Sequence, residues 1–197
     1  MNVRSLLPTS GDALIVVDVQ NDFLPGGALA VPAGDAVVPV LNRYIARFDQ
    51  QKLPILATRD WHPSVHCSFR EQGGPWPPHC VAGTPGADLA RGLALPARAQ
   101  LISKATRPES DAYSGFQGTD LAARLRELGC RRVFIGGLAT DYCVRATALD
   151  ALAAGFEVVV LQDAIRAVEV QPGDGQRALD EVAGGGARIA REAQVLA

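Results

Sequence analysis

Asp60, His62, His66 and His79 are the residues of this sequence whose types and spacing most clearly suit chemistry. The chain has three histidines, and all of them fall between positions 62 and 79, just after an aspartate. A carboxylate with two or three imidazoles forms a ligand set for a divalent ion that keeps coordination positions open. Asp60 and His62 stand two apart, so in extended backbone both side chains can turn toward one ion. His79, after Trp76-Pro77-Pro78, could complete the set. His66 is either a fourth ligand or a group that orients the ligands by hydrogen bonding. Zinc is the first choice for such a set, and manganese or iron(II) also fits. The alternative is a hydrogen-bonded polar loop.

A thiol offers a second kind of chemistry. The four cysteines, at 67, 80, 130 and 143, do not make a disulfide scaffold in a chain of 197 residues. Cys143 stands out because Gly136-Gly137-Leu138-Ala139-Thr140-Asp141-Tyr142-Cys143-Val144 reads as a strand, a turn and a helix start. Thr140 or Asp141 could cap that helix. A thiol in a first helical turn feels the positive end of the dipole, which lowers its pKa. The turn's free N–H groups can hold a developing oxyanion. The competing reading is a buried inert cysteine, the commoner role. Outside the metal cluster no histidine is left to act as base. Asp18, at the end of an apolar run, could take the thiol proton, or could merely cap a turn. Lys104, after Leu101-Ile102-Ser103, could hold Asp18 ionised and favour the thiolate, or could be a solvated surface charge.

The elements that must position these groups alternate. Short apolar runs at 13–17, 53–58, 101–103, 133–137 and 156–161 read as strands, with 187–190 as a last edge strand. Segments with helical spacing fall at 34–51, 117–128, 141–154 and 178–182. This order implies an α/β fold, three layers with a mostly parallel, doubly wound sheet. Ligands in such folds bind beyond the carboxyl ends of the strands. Asp18, Asp60, Lys104 and the 139–143 turn each follow a strand, so they should converge on one edge. The Pro- and Gly-rich stretch 72–86 reads as a loop wrapping the site. Length and the lack of a linker favour a single domain over 1–197. A net charge of −2 gives no reason for a nucleic-acid or membrane partner. Residues 1–8 carry too short an apolar stretch for a signal peptide, so a cytoplasmic location is the default.

At these residues the chain resembles the nicotinamidases (pyrazinamidases) of the isochorismatase-like cysteine hydrolase family. The likeness rests on "VVDVQNDFLPGGALAV", "TRDWHPSVHCSF", "WPPHC", "AYSGF" and "GLATDYCV", separated segments in the family's order. It implies a triad of Asp18, Lys104 and Cys143, with Asp60, His62 and His79 on the metal. It also implies a cis peptide at Leu138-Ala139 and an oxyanion hole from the Ala139 and Cys143 amides. A pyridine ring would stack among Phe23, Trp76 and Tyr113, with Leu29 behind. The implied reaction is deamidation of nicotinamide to nicotinate and ammonia through a thioester. The implied partner is a small-molecule amide; a homo-oligomer stays open. The segment 105–111 is longer and more charged than the resemblance leads one to expect, which bears on the pocket mouth. Two alternatives stand beside this reading. One is a cysteine hydrolase of another small amide, a carbamoyl or ureido compound. The other is a non-catalytic metal-binding domain.

Overall fold

A computed structural model describes residues 6–196; residues 1–5, most of the stretch judged for a signal peptide, and residue 197 lie outside the described part. The fold is built outward from β1 (Asp12–Val17), which is buried at every position. Leu14 and Val16 face one hydrophobic core, and Ala13, Ile15 and Val17 face another. A strand buried on both faces needs no polar alternation, which explains its unbroken apolar run. Among the described residues six strands form one parallel sheet in the order β3-β2-β1-β4-β5-β6. The others are β2 (Ile55–Asp60), β3 (Gln100–Lys104), β4 (Arg132–Leu138), β5 (Glu157–Arg166) and β6 (Arg188–Ala190).

Helix α1 (Val37–Gln50) lays Val37, Leu41, Tyr44, Ile45 and Phe48 on the first core. Helices α2 (Leu121–Glu127), α3 (Arg145–Ala153) and α4 (Asp174–Gly184) cover the other. A short α5 (Glu192–Val195) ends the described chain. The result is the expected three-layer arrangement. The chain runs outward from β1 through β2 to β3, then returns to place β4 against β1. The strand order therefore reverses between β1 and β4, and a ligand crevice opens at such a reversal. Asp18 and the 139–143 turn flank it. No helix among the described residues is long and apolar enough to cross a membrane.

Three local expectations are corrected. The helix expected over 117–128 begins only at Leu121, because Thr119 turns the chain: its hydroxyl donates to Gly115 O and accepts from the Leu121 N–H. The helix expected from Asp141 begins as a π-helical turn, Thr140–Val144, before α3. Neither Thr140 nor Asp141 caps it. Strand β5 runs past Leu161 to Arg166. Gln162 and Asp163 interrupt its apolar pattern, but Asp163 has its own partners, Tyr44 Oη at 2.9 Å and the Glu192 N–H at 2.8 Å. A register shift between Ile135 and Gly137 lets β4 continue pairing with this extension. Gly137 is required there: its φ is +129°, and a Cβ would lie 2.0 Å from Val17 O.

Candidate active site

Strand register brings the polar groups together. Asp60 and Lys104 are paired residues at the carboxyl ends of β2 and β3. Asp18 follows β1 in a left-handed conformation, φ 49°, which aspartate tolerates better than most residues. Its N–H donates to Thr58 O on β2, and the Thr58 hydroxyl donates to Asp18 Oδ1 at 2.6 Å. Cys143 lies in the π-helical turn after β4, beyond a cis peptide bond between Leu138 and Ala139.

Lys104 ties these groups into one cluster. Its Nζ lies 3.0 Å from Asp18 Oδ2, 2.6 Å from Asp60 Oδ1 and 3.5 Å from Cys143 Sγ, and donates to Ala112 O at 3.0 Å. The Lys104 side chain is wholly buried, so the reading of it as a solvated surface charge is excluded. Burial alone would lower its pKa, but Asp18 and Asp60 outweigh that and hold it well above its usual value. Asp18 is raised, by burial first, with the repulsion of Asp60 adding and Lys104 and Thr58 opposing. Its Oδ2 has the ammonium close by but no aligned hydrogen-bond donor. One carboxylate oxygen each of Asp18 and Asp60 and the Cys143 sulfur lie within 4.8 Å of one another.

The thiol departs from expectation. The helix start was expected to lower its pKa. Burial instead pushes the Cys143 thiol well above its usual value, with Lys104 opposing and the carboxylates of Asp18 and Asp60 adding to the rise. Two carboxylates and one ammonium already leave the cluster net negative, so ionising the thiol adds a second negative charge in a dry site. Forming a thiolate here therefore requires a proton acceptor close to the sulfur.

Above Lys104 the imidazoles gather. One ligand atom each from Asp60, His62 and His79 fall within 4.8 Å of one another. His62 Nε2 is buried with no hydrogen-bond partner, which a metal ligand explains and a closed polar loop does not. His62 Nδ1 lies 3.3 Å from Ala105 O, and His79 Nδ1 lies 2.8 Å from Pro77 O. Carbonyls at those nitrogens hold the Nδ1–H tautomer and turn the Nε2 lone pair toward a common point. Burial first, then the neighbouring His79, His66 and Lys104, lower the His62 pKa to about 3, so it is neutral as a ligand must be. These donors fit a divalent cation. Gln20, which the sequence did not single out, fixes the Asp60 backbone from both sides: its Oε1 accepts from Asp60 N–H and its Nε2 donates to Asp60 O, each at 2.8 Å. His66 stacks 4.2 Å from His62, with Nδ1 2.7 Å from Ser68 Oγ and Nε2 3.3 Å from Ser110 O. It groups with His62 and Asp111, apart from the Asp60 set.

Both clusters open into one pocket whose walls are mainly apolar and aromatic. Phe23, Leu29, Trp76, Tyr113, Ala139 and Cys143 line it, as do Asp60, His62 and His79. The Trp76 Nε1–H donates to Tyr113 Oη at 3.0 Å, and Trp76 meets Tyr142 edge-on at 5.2 Å.

Residues 12–194 match the model of the isochorismatase domain. The chain belongs to the isochorismatase family. Within that family it is 40% identical over 198 residues to a nicotinamidase of Escherichia coli, covering 90% of this chain and 93% of the relative. It is similar to a pyrazinamidase of Pyrococcus horikoshii solved in complex with zinc, at 56% identity and a TM-score of 0.89, covering 92% and 99% of the two chains. A protein of L. infantum solved in complex with nicotinate aligns at 38% identity and a TM-score of 0.88, covering 96% of each chain. The isochorismatase-family pocket also contains Val31, Ser68, Tyr142 and Val168, to which the sequence had assigned no role, and Asp111, from the segment expected at its mouth. Tyr142 stands beside Cys143 and could have been found from that adjacency. Val168 carries no local signal.

Proposed function

We propose that this isochorismatase-family chain is a nicotinamidase, hydrolysing nicotinamide, and likewise pyrazinamide, to the carboxylate and ammonia. One observation carries the reading. Lys104 joins Asp18, Cys143 and Asp60 at the foot of a single aromatic-lined pocket, so a nucleophile and a ring-holding site are parts of one device.

In this reading Asp18 takes the thiol proton as Cys143 Sγ bonds to the amide carbon. The oxyanion is held by the Ala139 and Cys143 N–H groups. Asp18 returns the proton to the amide nitrogen, the C–N bond breaks, and ammonia leaves. Water then attacks the thioester carbon while Asp18 accepts its proton. The C–S bond breaks, the proton passes back to sulfur, and the carboxylic acid departs, ionising to the carboxylate as it gives its proton to ammonia or water. Lys104 offsets the charge of Asp18 and of the forming thiolate throughout. Phe23, Trp76 and Tyr113 hold the ring, with Leu29 behind. When bound at Asp60, His62 and His79, a divalent cation, zinc in the first instance, supplies a Lewis-acidic contact that orients a ring nitrogen. His66 orients His62 by packing against it.

The test is ammonia release from a panel of nicotinamide, pyrazinamide and small carbamoyl and ureido compounds, using protein purified without chelator. Turnover led by the two ring amides supports the proposal. Turnover of a ureido compound alone, or of none of the panel, overturns it.

A further inference from the structure

Asp141 lies two residues before the nucleophile, yet its carboxylate does nothing for the turn it sits in. It makes no capping bond at the turn or at α3. Instead it reaches across to the loop after β5. Asp141 Oδ1 accepts from the Val168 N–H and Oδ2 from the Glu169 N–H, both at 2.9 Å. Hydrogen bonds to a carboxylate are stronger than those between neutral groups, and two from successive residues fix orientation as well as distance.

Among the described residues, the remaining hydrogen bonds of the loop run within it or to α4. Glu169, in a left-handed conformation at φ 57°, accepts from the N–H groups of Gly173 and Gly175. The Gln171 N–H donates to Asp174, and Arg177 donates to Pro172 O. Among the described residues, the hydrogen bonds by which 167–173 reaches beyond itself and α4 are the two to Asp141. Val170 is 56% exposed and adds no anchor. Val168 lines the pocket and packs on the same core as Leu29 and Val31. The turn that carries Cys143 thus also holds the wall that bears Val168.

We propose that Asp141 is a positioning residue that locks the 167–173 loop to the nucleophile turn, and that Val168, so held, limits the size of ring the pocket accepts. The proposal rests on the ring-amide reading above. It separates two tasks within one short motif: Cys143 makes the bond, and Asp141 sets the clearance beside it.

The experiment compares wild type with Asp141→Ala, Asp141→Asn, Val168→Ala and Val168→Leu. Hydrogen exchange is read at the Val168 and Glu169 amides, and kcat and KM are measured for nicotinamide and for nicotinamide methylated on the ring. In Asp141→Ala those two amides exchange at least about tenfold faster, while β4 and β5 amides keep their rates. The preference for nicotinamide over the methylated ring falls by roughly fivefold or more, with KM rising more than kcat falls. Asp141→Asn is intermediate, because its one oxygen accepts one of the two bonds. Val168→Ala lowers the preference without changing exchange, and Val168→Leu raises it. An equal loss of kcat/KM on both amides with the preference intact means a merely structural role and overturns the proposal. So does wild-type protection of the two amides in Asp141→Ala. If wild type hydrolyses neither amide, the ring-amide reading fails on its own. The wall is then read from Cys143 alkylation by iodoacetamide against the bulkier iodoacetanilide. A narrower gap in Asp141→Ala and Val168→Ala supports the lock, and an unchanged gap overturns it.

Discussion

Replacing Lys104 by methionine removes a charge and keeps the length and apolar stem of the side chain. In the native protein the ammonium lies 3.0 Å from Asp18 and 2.6 Å from Asp60, with its side chain wholly buried. Breaking a buried pair costs about 3–5 kcal/mol because an uncompensated charge is left behind. For a chain of this size that is a fall in melting temperature of roughly 6–20 °C. The pH dependence has a definite sign. Asp18 is already raised by burial, and Lys104 is the largest opposing influence. Without Lys104 the native Asp18 binds a proton that the unfolded chain, near its usual carboxylate value, does not. Stability then rises as pH falls from neutrality toward about 4, since the native state holds more protons. A protonated Asp18 cannot accept the thiol proton, so kcat falls by at least about 10²–10⁴. Urea unfolding of metal-free protein at several pH values, with ammonia release on reloaded protein, reads both effects. A Lys104→Met protein within about 1 kcal/mol of wild type at neutral pH, with flat pH dependence, would refute the buried-cluster argument.

Two further outcomes follow from the same geometry. Zinc affinity should fall at least about tenfold in His62→Ala and His79→Ala, and less in His66→Ala, whose nitrogens have protein partners; isothermal titration decides this, and an equal loss in all three contradicts the ranking. In chelated protein, alkylation of Cys143 should be slower at neutral pH than that of free cysteine and should climb without a plateau up to about pH 9, since burial holds the thiol protonated; a plateau near neutrality contradicts it.

Much of this was legible in the sequence because strand ends leave strong marks. An apolar run followed at once by Asp18, Asp60 or Lys104 states both the strand and its polar end, and the reversal between β1 and β4 places those ends together. What was not legible depends on register and on distant partners. Asp60 and Lys104 pair across adjacent strands, and neither segment alone reveals that one ammonium serves both carboxylates. Asp141 read as a cap because its neighbours within the sequence are a helix start; its partners lie at 168 and 169, beyond a whole helix and strand. The thiol's environment was misjudged for a related reason. The helix start was visible, whereas the burial and the second carboxylate that outweigh it appear only when the loops close over the site.

The central claim is that Cys143 becomes acylated with Asp18 as its base. Rapid quenching of the metal-loaded enzyme with nicotinamide, followed by intact mass and peptide mapping, tests it most directly. The account predicts that one nicotinoyl group is transiently bound at Cys143 in wild type, and that Cys143→Ala shows neither adduct nor ammonia. Ammonia release by a folded Cys143→Ala variant at the wild-type rate would contradict it.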